Sequence, residues 1–183
     1  MKKFFVFFLI SIVSLCSLST IAYEGWKWTN SRDIAVYIPQ NDDKSVLMKK
    51  AFGDWQNKTK NNLAFRFVKS PNDTDIDVVC IEKDLTNYCG TPEAMGCAQN
   101  YRNGNIMHSR IYITKRRPKG LLLSNTQVYA VMRHEIGHTL GLVHSKNHND
   151  IMFASTNLGI AIRQDINEND VRAVYTLYGI SQR

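Results

Sequence analysis

The sequence predicts an α+β domain, a mixed sheet with helices packed against it, and three observations carry that expectation. Short apolar runs with strand-like alternation recur between turn-forming residues. Other stretches repeat their apolar residues every three or four positions. The order of these segments is strand, helix, four strands, helices. With 183 residues and 44% hydrophobic content the chain can bury one sizeable core, which excludes a disordered protein and favours one globular domain.

The first 22 residues, MKKFFVFFLISIVSLCSLSTIA, stand apart from that domain. Lys2 and Lys3 precede an apolar run from Phe4 to Leu18, and Ala22 follows Thr20 in the pattern of an export signal cleaved after Ala22. The run is short for a bilayer span and is broken by Ser11, Ser14 and Ser17, so no stable span is expected after cleavage. Residues 23–183 are the expected mature domain, exported to a secreted or periplasmic location of bacterial type. Cleavage removes two lysines, taking the charge from 23 basic against 16 acidic residues, net +7, to net +5.

Within the domain, DIAVYIP (Asp33 to Pro39) reads as a strand, and Ser45 to Thr59 as a helix because Leu47, Ala51 and Trp55 recur at i, i+4, i+8. Leu63 to Val68 and Asp75 to Ile81 alternate like strands, with Pro71, Asn72 and Asp73 marking the turn between them. GCAQNY (Gly96 to Tyr101) and SRIYITK (Ser109 to Lys115) are two further strands, the first short. The basic run KRRPKG (Lys115 to Gly120) lacks interleaved aromatic residues and falls where a loop belongs. It reads as a solvated connection and not a nucleic-acid site, although its charge favours anionic surfaces.

Three cysteines remain after cleavage in a compartment that permits disulfides, so one is left over. Cys89 and Cys97 flank a loop with Gly90, Pro92 and Gly96 and are the more natural pair, with Cys80 buried on a strand; spacing alone leaves the pairing open.

The chemistry is carried by HEIGHTLGLVH, residues His134 to His144. Ser124 followed by Gln127 is a capping-box start, and Gly141 is a stop that permits a left-handed turn. Between them Met132, Ile136 and Leu140 form an apolar stripe, while His134 and His138, four apart, project together on the opposite side. The break at Gly141 lets His144 fold back as a third ligand. Three imidazoles with one open position suit a catalytic zinc, and Glu135 beside the first histidine suits a general base. His108 and His148 fall outside this pattern and read as surface residues.

This segment resembles the signature of the metzincin zinc endopeptidases. Ser145 after the third histidine resembles the matrixin branch, and DIMF, with Met152, looks like its methionine turn. The resemblance extends loosely over residues 26 to 179, including AFGDWQNKT, LAFRFV, DIDVV and ENDVRAVYTLYG. It implies a zincin fold, a twisted mixed five-stranded sheet with three helices in which the active-site helix is followed by the methionine turn. It also implies hydrolysis of peptide bonds by a zinc-activated water, one catalytic zinc at His134, His138 and His144, and Glu135 as base, with Met152 as an apolar floor. An extended substrate would add to the strand holding Gly96 and Ala98, which would also lend an amide to the oxyanion. Selectivity would come from the loop beginning at Phe153, with Leu158, Ile160 and Ile162.

Several departures limit this resemblance. Between Glu82 and Arg110 only Asp84 and His108 could serve the structural zinc and calcium ions of vertebrate relatives, so neither ion is expected. Ala154 stands where other branches carry a tyrosine ligand. CGTPE (Cys89 to Glu93) resembles the cysteine-switch pattern of matrixin propeptides, yet it lies between strands, and Tyr88 replaces the arginine. The expected protein is a monomer acting on a protein or peptide substrate, without nucleic acid. The rival reading is a zinc-dependent peptide-binding or inhibitory module, which has no need of Glu135.

Overall fold

A computed structural model describes residues 26–103, 106–117, 120–154 and 165–181. The expected export signal and Leu158, Ile160 and Ile162 lie outside the described residues. Five strands, β1 (Ile34–Tyr37), β2 (Phe65–Val68), β3 (Ile76–Ile81), β4 (Gly96–Asn103) and β5 (Ile106–Thr114), form one sheet in the order β2-β1-β3-β5-β4. All neighbours are parallel except β4, which pairs antiparallel with β5 and forms an edge. Among the described residues three helices exceed two turns: α1 (Ser45–Lys58), α3 (Asn125–Thr139) and α4 (Glu168–Tyr178). A single turn, α2 (Thr86–Cys89), precedes β4 and was not anticipated; four residues are too few to show a helical period.

Each strand of the first three is as short as its apolar run, and the β-branched residues Ile34, Val36, Ile76 and Val78 are buried against the helices. Strand β4 is longer than its sequence suggests, because pairing with β5 extends to Asn103 opposite Ile106. The buried side of α1 is Met48, Ala51, Phe52 and Trp55, so the stripe read from Leu47 is displaced by one position and Leu47 is only half buried. Phe52 and Met48 are apolar too, and a spacing of four alone does not choose between the adjacent rows.

Helix α1 is pinned to α3 by Trp55, fully buried, whose indole Nε1 donates to the carbonyl of Arg133 at 2.8 Å. At the other end of α3, Trp28 Nε1 donates to Thr139 O at 2.7 Å and Tyr178 Oη to Leu140 O at 3.2 Å. Residues from both flanks of the domain thus satisfy carbonyls that the end of a helix leaves open. The placement of α3 on the sheet depends on these contacts. Trp55→Ala removes both the packing and the hydrogen bond and is expected to cost about 3–5 kcal/mol, read as a lower urea midpoint at unchanged slope.

Candidate metal centre

Helix α3 begins where its capping residues meet: Ser124 Oγ accepts from Gln127 N at 3.3 Å and Gln127 Oε1 accepts from Ser124 N at 2.9 Å. Met132, Ile136 and Leu140 are wholly buried, which turns the imidazoles of His134 and His138 away from the core. The helix ends at Gly141, whose φ of +92° lies in the left-handed region. A side chain there would also place its Cβ 2.5 Å from the Trp26 carbonyl oxygen. Only glycine meets both conditions, and the reversal brings His144 back beside the helix.

One ligand nitrogen from each of His134, His138 and His144 lies within 4.8 Å of the other two. His134 Nδ1 is 2.7 Å from the carbonyl of Ile151, and His138 Nδ1 is 2.8 Å from that of Leu142. A carbonyl can only accept, so in the neutral rings Nδ1 carries the proton and Nε2 presents a lone pair. His138 Nε2 faces His144 Nε2 at 3.2 Å. A tetrahedral zinc with bonds of about 2.0–2.1 Å separates its nitrogens by about 3.3–3.4 Å, so the donor set fits that ion. Burial, reinforced by His138, pushes His134 down to about 3, and burial also lowers His144. Rings that stay neutral are ready for a metal without first losing protons.

Glu135 is 6% exposed, and burial pushes its carboxyl up to about 8 against the opposing hydrogen bond donated by the Ala98 amide. A cation at the adjacent imidazoles favours the carboxylate again by Coulomb attraction. Gly96 approaches so closely that a Cβ would meet Glu135 Cγ at 2.9 Å and Val131 Cγ1 at 2.6 Å. Gly96 and Ala98 therefore both touch the carboxylate side chain. The Ala98 amide serves Glu135.

Beneath the site, Met152 is fully buried and its Sδ occupies the space a side chain at Gly137 would need, 2.2 Å from that Cβ. Its carbonyl accepts from Ser145 N at 2.8 Å, tying the turn to the residue after the third histidine. Two aspartates hold this turn. Asp150 Oδ2 accepts from Ser145 Oγ at 2.5 Å, and its Oδ1 from the amides of Asn147, Asn167 and Asn169. Asp170 Oδ2 accepts from Ile151 N at 3.1 Å and from Asn167 N at 3.0 Å, closing a capping box at the start of α4. Since the Ile151 carbonyl aligns His134, Asp170 acts on that imidazole through one residue. Neither aspartate was singled out in the sequence; the Asn167-x-x-Asp170 spacing ahead of an apolar helix was the available signal.

The three histidines and Glu135 line a cleft of about 590 Å³ together with Met95, Gly96, Ala98, Val131, Ile151 and Phe153. Cys89 and Cys97 border it and are bonded to each other, S–S 2.01 Å, fastening α2 to β4. Cys80 is unbridged and on β3 as expected but half-buried where a buried position was expected, and the burial it has pushes its thiol up to about 12. His148 is exposed. His108 is not simply a surface residue: its Nε2 lies 2.9 Å from Asp77 Oδ1, and Arg110 Nε lies 2.7 Å from Asp77 Oδ2. Asp77 is 3% exposed, and this pairing on the neighbouring strand is invisible to a one-dimensional reading.

Residues 26–179 match the family model described as Matrixin. A 61-residue stretch is 36% identical to stromelysin-2 of Rattus norvegicus, covering 31% of this chain and 12% of that protein, so the chain spans a small part of that relative's length. Among solved structures, archaemetzincin from Methanopyrus kandleri superposes with a TM-score of 0.54 at 14% identity, covering 80% of this chain and 95% of that one. Myroilysin gives a TM-score of 0.40 at 21% identity over 70% of this chain and 55% of its own. The archaemetzincin likeness supports the fold, a mixed five-stranded sheet with helices.

Asp170→Ala is expected to weaken zinc binding by about 10–100-fold, as loss of an outer hydrogen-bond partner does elsewhere. It is also expected to lower stability by about 1–3 kcal/mol. Competition with a chelating dye and urea unfolding of the metal-free protein measure the two effects separately.

Proposed function

The chain belongs to the matrixin family of zinc metalloendopeptidases, and from that premise we propose that it is an exported endopeptidase with one catalytic zinc at His134, His138 and His144. The observation that carries this reading is a buried carboxylate, Glu135, set beside three converging imidazoles and oriented by the amide of a sheet edge. A module that only bound peptides through its metal would gain nothing from burying an acid at that point.

A zinc ion held by these residues supplies Lewis-acid polarisation of a carbonyl and of water. The chain's own residues do the rest. Glu135 removes a proton from the attacking water and returns it to the leaving amine. Ala98, by donating to the carboxylate, keeps it aimed into the cleft, and Gly96 keeps β4 close enough for that bond. An extended peptide added to the β4 edge gains main-chain hydrogen bonds indifferent to its sequence. Val131, Ile151 and Phe153 make the adjoining wall apolar, which favours a hydrophobic side chain beside the scissile bond. Met152 supports the floor without taking part in the chemistry.

Export rests on the pattern of residues 1–22. Among the described residues no helix is long and apolar enough to cross a membrane. The exported protein is expected to begin at Tyr23, which N-terminal sequencing reads directly.

Cleavage of unfolded casein should stop on chelation. Glu135→Ala should still bind about one zinc while losing about 10²–10⁴ in rate. If the wild type binds zinc and cuts neither casein nor a peptide library, a peptide-binding module becomes the better account.

A further inference from the structure

The basic run that the active site does not use folds into a small antiparallel ribbon between β5 and α3. Gly120 N donates to Arg117 O at 2.9 Å to close the turn, with Gly120 at a φ of +84°. Arg117 N donates to Leu121 O at 2.7 Å, Leu123 N donates to Lys115 O at 2.8 Å, and Arg116 pairs with Leu122 as an antiparallel bridge. Neighbouring residues of a strand face opposite ways. Leu121 and Leu122 are nevertheless 66% and 64% exposed, while Leu123 at the base is 4% exposed. Two neighbouring side chains of the returning arm are thus both left largely in water.

We propose that the described arms of this ribbon, through Leu121 and Leu122 beside the exposed Arg116, dock the protein on the surface of an anionic lipid bilayer. Two adjacent leucines with about two thirds of their surface in water cost free energy there. They offer too little area for a stable protein interface, which takes roughly 800 Å² from each partner. Two exposed leucines beside an exposed arginine instead match a bilayer interface, where the leucines enter the acyl boundary and the Arg116 guanidinium meets lipid phosphate. Arg116 is exposed and spends one nitrogen on Gly120 O at 3.0 Å, leaving the rest of its guanidinium open. The acids at the base are already engaged, since Lys115 lies 2.9 Å from Asp42 and 3.0 Å from Glu82. The ribbon leads directly into the capped start of α3, so His134 lies about 14 Å from it along the helix axis. Docking would hold the cleft at a fixed distance from the membrane.

The test uses the mature chain, residues 23–183, which lacks Cys16 and the apolar export signal, on a Cys80→Ser background with an environment-sensitive fluorophore on Leu122→Cys. A control label goes on Lys60→Cys, beyond the far end of α1. With phosphatidylglycerol-containing vesicles the label at position 122 should report an apolar environment. The signal should be absent with pure phosphatidylcholine and weakened by salt, and the label at position 60 should not respond. The double variant L121S/L122S should partition onto the vesicles at least about tenfold less, with casein cleavage in solution unchanged. The proposal is overturned if the label at position 122 stays in water on anionic vesicles, or if the double variant partitions like the wild type. It is equally overturned if that label becomes buried only as protein concentration rises, which would make the ribbon a contact between copies of the chain.

Discussion

Everything at the centre of this molecule depends on two hydrogen bonds, from His134 Nδ1 to the Ile151 carbonyl and from His138 Nδ1 to the Leu142 carbonyl. They fix the tautomer of both rings and aim both Nε2 lone pairs at one point. The carbonyls that accept them belong to the chain after the helix, so the site exists only if the chain reverses at Gly141. Asp170 holds Ile151, Asp150 holds Ser145, and both draw on Asn167 at the start of α4. Helix α4 thereby sets the orientation of a ring on α3. Such outer bonds matter because imidazole is a ligand only in one tautomer and one direction.

The sheet contributes through its edge. A parallel sheet closed by one antiparallel strand leaves β4 with a free side, and that side runs against α3 at the position of Glu135. Under the proposed function one strand would receive an extended peptide and orient the acid that would act on it. The Cys89–Cys97 bond fastens the loop ahead of β4 to the strand, which limits how far the edge can move when the cleft fills. A sulfur committed to that bond has no thiolate to offer a metal, so Cys89 as bonded cannot act as a latency thiol.

The strands and the active-site helix were legible because their signals are local. Alternation marked β1, β2 and β3, and the Ser124–Gln127 box marked the start of α3. The histidine set was legible because His134 and His138 share a helix and Gly141 announces the reversal. What escaped was held by contacts between distant segments. Asp170 meets Ile151 across 19 residues, Trp55 meets Arg133 across 78, and Asp77 is paired by residues of β5. The one-position error on α1 has another cause, since Leu47 and Met48 are both apolar and only the fold chooses which faces inward. The ribbon after β5 was read as a charged loop; that its leucines stand clear of the core depends on hydrogen bonds that sequence composition does not reveal.

The central claim is that three neutral imidazoles, and no other protein group, hold the metal. X-ray absorption at the zinc edge tests it most directly. The account requires three imidazole nitrogens at about 2.0–2.1 Å with a remaining light-atom ligand from solvent. It also requires that one imidazole be lost from the spectrum of His144→Ala. A sulfur contribution at about 2.3 Å, or a spectrum unchanged by His144→Ala, would contradict it.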